Sequence, residues 1–302
     1  MAQDPRALLQ KYHTDGCHLM KADKTLSSAT GGFSFFGGRE EKYQNAADLY
    51  IQAANAFRMQ KSNQEAGQTF EKAAQIQINN LKEPDDAANT YVDAFKVYRA
   101  ENPEDAARCL DFSINQYCAK GNFRRAASHK ESLGDLFENQ LGDMKRALEA
   151  YEAAAGWYEG DGASALANKL WLKVADIAAL DGDYTKAIDH YEKVASQSIN
   201  NNLMRYSVKE YFLKAGICHL AVGDMIATQR ALEKYRDQDP AFATQREHQL
   251  LVDLIAAIEE GDQEKFADKL YAYDQMSKLD KWKTAILLRI KGAIEEAGDE
   301  FS

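Results

Sequence analysis

The sequence predicts an all-α protein, built as a right-handed solenoid of antiparallel helical hairpins with a C-terminal helical bundle. Three observations carry this expectation. Small residues recur at a spacing of about 20 residues, so that two spacings make one hairpin of about 40. Gly-Asp pairs break the chain at matching places. The composition also favours helix, with only 4 prolines in 302 residues and abundant Ala, Leu, Glu, Lys and Gln.

The register starts at Ala46 and runs through Ala66, Ala87, Ala106, Ala126, Ala147, Ala167 and Ala187. Four residues after each lie Tyr50, Phe70, Tyr91, Leu110, Lys130, Tyr151, Trp171 and Tyr191. Only Lys130 departs from a large apolar or aromatic residue. Eight residues after each come Ala54, Ala74, Phe95, Ile114, Gly134, Ala155, Ala175 and Ala195. Steps of four keep these positions on one helical stripe. Positions two residues after each alanine read Asp48, Gln68, Asn89, Arg108, Ser128, Glu149, Lys169 and Asp189, which is a wet face. Each segment is therefore an amphipathic helix, and the pattern as a whole is TPR-like.

The breaks are Gly142-Asp143, Gly182-Asp183, Gly223-Asp224 and Gly261-Asp262. Glycine ends one helix in the left-handed region and aspartate caps the next. Asn102-Pro103-Glu104-Asp105 reads as a cap, a first-turn proline and two acids matched to the helix dipole. Asp239-Pro240 reads similarly. Connections this short make neighbouring helices antiparallel. One hairpin cannot bury its apolar stripe alone, so the hairpins stack into an elongated array with a broad curved surface, suited to holding protein partners. The alanine pattern blurs after about residue 225. The expected organisation is a solenoid over residues 1–225 and a helical bundle with an acidic tail over 226–302. The last helix is expected to cover Asp280 to Glu296.

A formal net charge of -10 makes non-specific attraction to nucleic acid or anionic lipid unexpected. The start has no basic stretch followed by an apolar one, and no apolar run is long enough to span a bilayer. The expectation is a cytoplasmic protein whose thiols are reduced. The four cysteines, Cys17, Cys109, Cys118 and Cys218, match no zinc or redox spacing. The phosphate-binding, zinc-protease and nucleophile-elbow motifs are missing, and the histidines are scattered. No catalytic residue, metal ligand or cofactor is predicted.

Three features exceed what a plain scaffold needs. Phe33, Phe35 and Phe36 sit between glycine pairs in a loop over residues 26–40. That loop either folds back on the first hairpin or presents an apolar tip to a membrane. A buried phenylalanine contributes ~1.5–3 kcal/mol, so three give weak, reversible attachment that helps only when another contact is present. Second, Arg124, Arg125 and Lys130 share one predicted helix, and Lys169 and Lys173 share a face of another. They are either ordinary surface charge or a docking face for an acidic partner. Third, Glu259-Glu260, Glu295-Glu296 and Asp299-Glu300 make the C-terminal region acidic ahead of Phe301. By themselves these read as a solvated tail.

Several segments together resemble the soluble NSF attachment protein family. They are Ala46-Ala47-Asp48-Leu49-Tyr50, Gly121-Asn122-Phe123-Arg124-Arg125, the run from Ala167 to Val194, the run from Ser207 to Leu220, and Leu279-Asp280-Lys281-Trp282 leading into Leu287-Leu288-Arg289. The likeness covers essentially the whole chain. It implies an adaptor that binds no nucleotide and is no enzyme. Such an adaptor coats the four-helix complex of syntaxin-like, synaptobrevin-like and SNAP-25-like SNARE proteins on membranes. It recruits the NSF hexamer and stimulates its ATP hydrolysis, so that SNARE complexes are disassembled and recycled in vesicle fusion. The resemblance assigns membrane contact to Phe33, Phe35 and Phe36. It assigns SNARE binding to Arg124, Arg125, Lys130, Lys169 and Lys173, and NSF binding to Asp224, Glu259, Glu260 and Phe301. The chain departs from the family at two places: Ala256 replaces an acidic residue, and Phe301 stands where a leucine is usual. A general TPR-type adaptor or co-chaperone is the alternative, and it predicts an inward groove of Lys, Arg and Asn for a terminal carboxylate.

Overall fold

The computed structural model describes residues 5–30 and 38–300, with side chains over 18–30 and 38–294. Among the described residues the chain forms fourteen α-helices and no strand, an all-α, TPR-like architecture of sequential antiparallel hairpins. The chain divides into two compact units, Met1–Ala163 and Ser164–Ser302. The first holds α1 (Pro5–Thr30), α2 (Gly38–Met59), α3 (Asn63–Ile76), α4 (Pro84–Tyr98), α5 (Pro103–Ala119), α6 (Phe123–Leu136) and α7 (Met144–Gly160). The second holds α8 (Ser164–Asp181), α9 (Tyr184–Ser198), α10 (Val208–Val222), α11 (Met225–Gln238), α12 (Arg246–Glu259), α13 (Gln263–Met276) and α14 (Lys281–Glu300). The final helix thus starts one residue after the expected Asp280, which accepts the Lys283 N–H at its start, and runs four residues past Glu296.

The periodic alanines are the contact points between helices. Ala46, Ala66, Ala87, Ala106, Ala126, Ala147 and Ala187 have no solvent exposure, and Ala167 has 1%. A methyl group at the contact lets helix axes approach closely, and the large residue one turn later fills the space beside it. Tyr50, Phe70, Leu110, Tyr151 and Tyr191 are accordingly buried, as are Ala54, Ala74, Ile114, Gly134, Ala155, Ala175 and Ala195 one turn further on. Burying each of the large side chains contributes roughly 1.5–3 kcal/mol. Their hydroxyls are not wasted. Tyr50 donates to Asp23 on α1, and Tyr151 donates to Asp135 at 2.7 Å and Glu138 at 2.6 Å.

The Gly-Asp breaks do what their chemistry predicts. Gly142, Gly182, Gly223 and Gly261 all have φ between 65° and 95°. The carboxylates of Asp143, Asp183, Asp224 and Asp262 each accept the backbone N–H three residues on. Each cap also fixes the register: the residue four places after it carries the helix contact. At α11 and α13 that place is taken by Thr228 and Phe266, both with no exposure. The alanines stop near residue 225, but the buried position they mark continues. Pro103 opens α5 as expected, although the Asn102 side chain makes no capping bond. Asp239-Pro240 differs. Pro240 begins a 3-10 turn, Pro240–Thr244, and Asp239 is buried with a carboxylate oxygen 3.5 Å from Arg205 instead of capping a helix.

In the second unit, α14 lies against α8, α10 and α13. Trp282 is 8% exposed, donates its indole N–H to the Asp176 carbonyl at 2.9 Å, and meets the Tyr191 ring edge-on. Lys214 lies 4.8 Å from the Trp282 ring centre and pairs with the Asp176 carboxylate at 2.7 Å. Lys283 is nearly buried, a costly place for an ammonium, and it is paired with both Asp280 and Glu210. These contacts fix α14, and with it the far wall of the site described next.

Candidate protein-binding site

Two kinds of surface carry the candidate residues, one basic and one acidic. On the basic side, Asn122 caps α6 and accepts the N–H of Arg125. That cap sets the first turn so that Arg124 and Arg125 are both exposed. Arg125 stacks over the Tyr117 ring at 4.3 Å and donates to Asn89 at 2.8 Å, so its guanidinium is held in one orientation against α4 and α5. Arg124 reaches instead toward Asp161, at 4.0 Å. Lys130 is only partly exposed and points to Asp111 on α5 at 3.5 Å. With about 100° of rotation per residue, Arg125 and Lys130 are ~140° apart around the helix. The three cations of α6 therefore share a helix but meet three different neighbours.

Lys96 on α4 is a basic residue that the sequence reading missed. His129, stacked on Tyr117, has its pKa lowered by burial first and then by the charges of Arg125 and Lys96. Burial is the main cause, and the charges of Arg125 on α6 and Lys96 on α4 add to it at this imidazole. Nothing in the local sequence signals it, because Lys96 and Arg125 belong to separate repeats. In the second unit, Lys169 and Lys173 stand one turn apart on α8, Lys169 exposed and Lys173 half-buried. Between them Trp171 stacks on His190 at 4.6 Å, with Lys193 5.3 Å above the same ring.

The acidic candidates gather at one end of the second unit. Asp224 caps α11, while Glu259 and Glu260 close α12. Glu259 accepts from Gln229 at 2.7 Å, and Glu260 pairs with Lys265. Both carboxylates line a cavity of about 620 Å³ bounded by the ends of α10 and α12, the starts of α9 and α11, and α14. Leu220, Met225, Ile258, Ile290 and Ile294 make its apolar wall. One signal of this cavity was present in the sequence and went unread: the apolar residues Val222, Met225 and Ile226 surround the polar Gly223-Asp224 turn, and Val222 and Ile226 are exposed, at 51% and 66%. Ala256 sits half-buried on α12, one turn before Glu260.

Phe33, Phe35, Phe36 and Phe301 lie outside the described residues. Among the described residues, no group of three His, Cys, Asp or Glu side chains is arranged to hold a metal, and no helix is long and apolar enough to cross a membrane. Cys109 and Cys218 are free and buried, which raises their thiol pKa values, Cys109 to about 12. Buried neutral thiols of this kind are inert as nucleophiles.

The fold defines a TPR-like helical-hairpin protein that presents basic and acidic surface groups. The family model "Soluble NSF attachment protein, SNAP" matches residues 14–295, and the chain belongs to that family. It is 59% identical to a probable vesicular-fusion protein sec17 homolog of Neurospora crassa, over 100% of both chains. It is 40% identical to an alpha-soluble NSF attachment protein of Saccharomyces cerevisiae, covering 93% of this chain and 97% of that one. The human alpha-soluble NSF attachment protein is 38% identical, with 93% and 94% covered.

Proposed function

We propose that this chain is the adaptor that attaches NSF to assembled SNARE complexes during vesicle fusion and stimulates its ATP hydrolysis, so that the complexes are taken apart for reuse. The observation that carries this reading is the full-length similarity to relatives named for vesicular fusion and NSF attachment. The arrangement of charge supports it. Basic side chains on α6 and α8 suit the acidic flank of a helical bundle, and complementary charge of this kind favours rapid, specific encounter. Asp224, Glu259 and Glu260 form a separate acidic end suited to a basic face of NSF. Phe33, Phe35 and Phe36 supply a weak membrane contact that acts together with SNARE binding, which makes the protein peripheral to membranes in the cytoplasm.

The decisive experiment is a pull-down with purified NSF and an assembled SNARE complex. Binding of the SNARE complex alone, and of NSF only once that complex is present, is expected. Failure to bind either removes the reading. Serine at Phe33, Phe35 and Phe36 is expected to slow disassembly of liposome-borne SNARE complexes and to spare soluble ones. Equal slowing on both removes the membrane contact.

A further inference from the structure

We infer that the cavity between α10, α11, α12 and α14 is an anchor pocket that accepts one large apolar side chain carried on a basic surface of NSF. The inference rests on the reading that the acidic end meets NSF, and it adds an apolar socket to what charge alone provides. At about 620 Å³ the cavity lies within the ~300–1,000 Å³ typical of pockets that bury a ligand group. Its wall is aliphatic, formed by Leu220, Met225, Ile258, Ile290 and Ile294. The apolar surface continues outward over exposed Val222 and Ile226.

Charge decides which occupant fits. Glu259 and Glu260 line the mouth, and Asp224 lies beside it on the exposed turn. The two cations nearby answer this only in part. Lys265 pairs with Glu260. Arg289 also lines the cavity and offsets one carboxylate, but its guanidinium is turned to the C-terminus of α8, where it donates to the carbonyls of Leu180 at 2.7 Å and Ala179 at 3.4 Å. The mouth therefore stays acidic. The chain's own last eight residues carry Glu295, Glu296, Asp299 and Glu300 with no cation, so this rim repels them. A second copy of the chain, with a formal net charge of -10, is disfavoured for the same reason. A partner bringing Lys or Arg around an apolar side chain satisfies both parts. A central apolar anchor inside a charged rim is also the arrangement that concentrates binding energy at protein interfaces.

The test places a plug in the cavity. Ala293 lines it and is exposed, so Ala293→Trp fills the pocket without entering the core. The full chain carrying Ala293→Trp is expected to bind the SNARE complex as before and to bind NSF about tenfold or more weakly. Glu259→Lys with Glu260→Lys is expected to weaken NSF binding as well. If the unaltered chain binds NSF and Ala293→Trp binds it equally well, the anchor pocket is wrong while the adaptor reading stands. If the unaltered chain fails to bind NSF, the adaptor reading itself is wrong. Thermal melting shows whether Ala293→Trp is folded. Should it not be, a benzoylphenylalanine photo-crosslinker at Val222 replaces it. Capture of an NSF peptide holding a large apolar residue flanked by Lys or Arg is expected, and no crosslink to NSF in the assembled complex overturns the inference.

Discussion

Arg108 on α5 grips Glu71 on α3 through both terminal guanidinium nitrogens, at 2.7 and 2.9 Å, and Tyr98 on α4 donates to the same carboxylate at 2.9 Å. One carboxylate thus ties three successive helices. The two partners are not equal. The Arg108 side chain is 55% exposed, so its pair is screened, whereas Tyr98 is buried and its hydroxyl finds its partner in Glu71. Glu71→Ala is expected to cost about 1–3 kcal/mol, chiefly by leaving the buried hydroxyl unmet, and Arg108→Ala under about 1 kcal/mol. Urea denaturation of both variants checks the order. A larger loss for Arg108→Ala contradicts it.

Gly134 occupies the small-residue position of α6 because the Tyr151 ring lies against it. A Cβ built there comes within 2.5 Å of that ring. Gly134→Ala forces the aromatic column apart and is expected to cost about 1–3 kcal/mol. Gly156 on α7 is the control, since a Cβ there meets nothing within 4 Å. Gly156→Ala is expected to stabilise by roughly 0.5–1 kcal/mol through helix propensity alone. Melting temperatures moving in the same direction for the two variants would refute the assignment.

How much of this was legible follows from which residues carry a chemical signature. The four Gly-Asp breaks could be read because glycine tolerates a left-handed backbone and aspartate caps. Lys61 and Lys82 adopt the same conformation, with φ of 63° and 62°, yet a lysine side chain announces nothing of the kind. Those two breaks, flanking α3, were therefore silent. Their backbone makes a prediction. Lys61→Gly relieves a left-handed non-glycine residue and is expected to stabilise by about 1 kcal/mol. Ser62 opens α3 without a side-chain capping bond, so Ser62→Asp is expected to add about 0.5–1 kcal/mol. A lower melting temperature for the double variant argues against both.

The site divides the same way. Lys169 and Lys173 were readable as one face because a spacing of four is local. The cavity was not, because five separate elements between Tyr184 and Ile294 build it and only their packing brings them together. Likewise the sequence places Arg124, Arg125 and Lys130 on one helix correctly, but their separate partners Asp161, Asn89 and Asp111 depend on tertiary neighbours.

Glu192 repeats in the second unit the role that Glu71 plays in the first. It sits on α9 and is contacted by His219 of α10 at 3.4 Å, and by Lys234 and Tyr235 of α11 at 2.5 and 2.6 Å. Burial pushes its pKa up, but the donors from His219, Lys234 and Tyr235 outweigh it and hold the carboxyl down at about 2, from 4.5. A folded pKa below the unfolded one gives stability that is present above about pH 4.5 and lost as the pH falls toward about 2. Glu192→Gln should therefore be less stable than the unaltered chain at neutral pH, with the gap closing across that acid window. Melting curves at stepped pH test this, and a gap of constant size would show that the carboxylate charge is not the source.

Lys169 and Lys173 offer the sharpest functional prediction, because they are readable as a face and because their surroundings are rigid. Trp171, which lies between them in sequence, stacks on His190 and is approached by Lys193, and these contacts anchor this segment of α8. Lys169→Glu with Lys173→Glu reverses that charge at an exposed and a half-buried position, which leaves the packed stripe of Ala167, Leu170 and Val174 intact. The variant is expected to melt within a few degrees of the unaltered chain and to bind an assembled SNARE complex about tenfold or more weakly. The unaltered chain should lose affinity steeply as salt is raised, while the variant should show a flatter dependence, since charges that attract a partner at the surface are screened over roughly 10 Å at 0.1 M salt. Unchanged binding at low salt would remove these two lysines from the SNARE surface. Weakened binding with an unchanged salt slope would instead assign their effect to packing around Trp171.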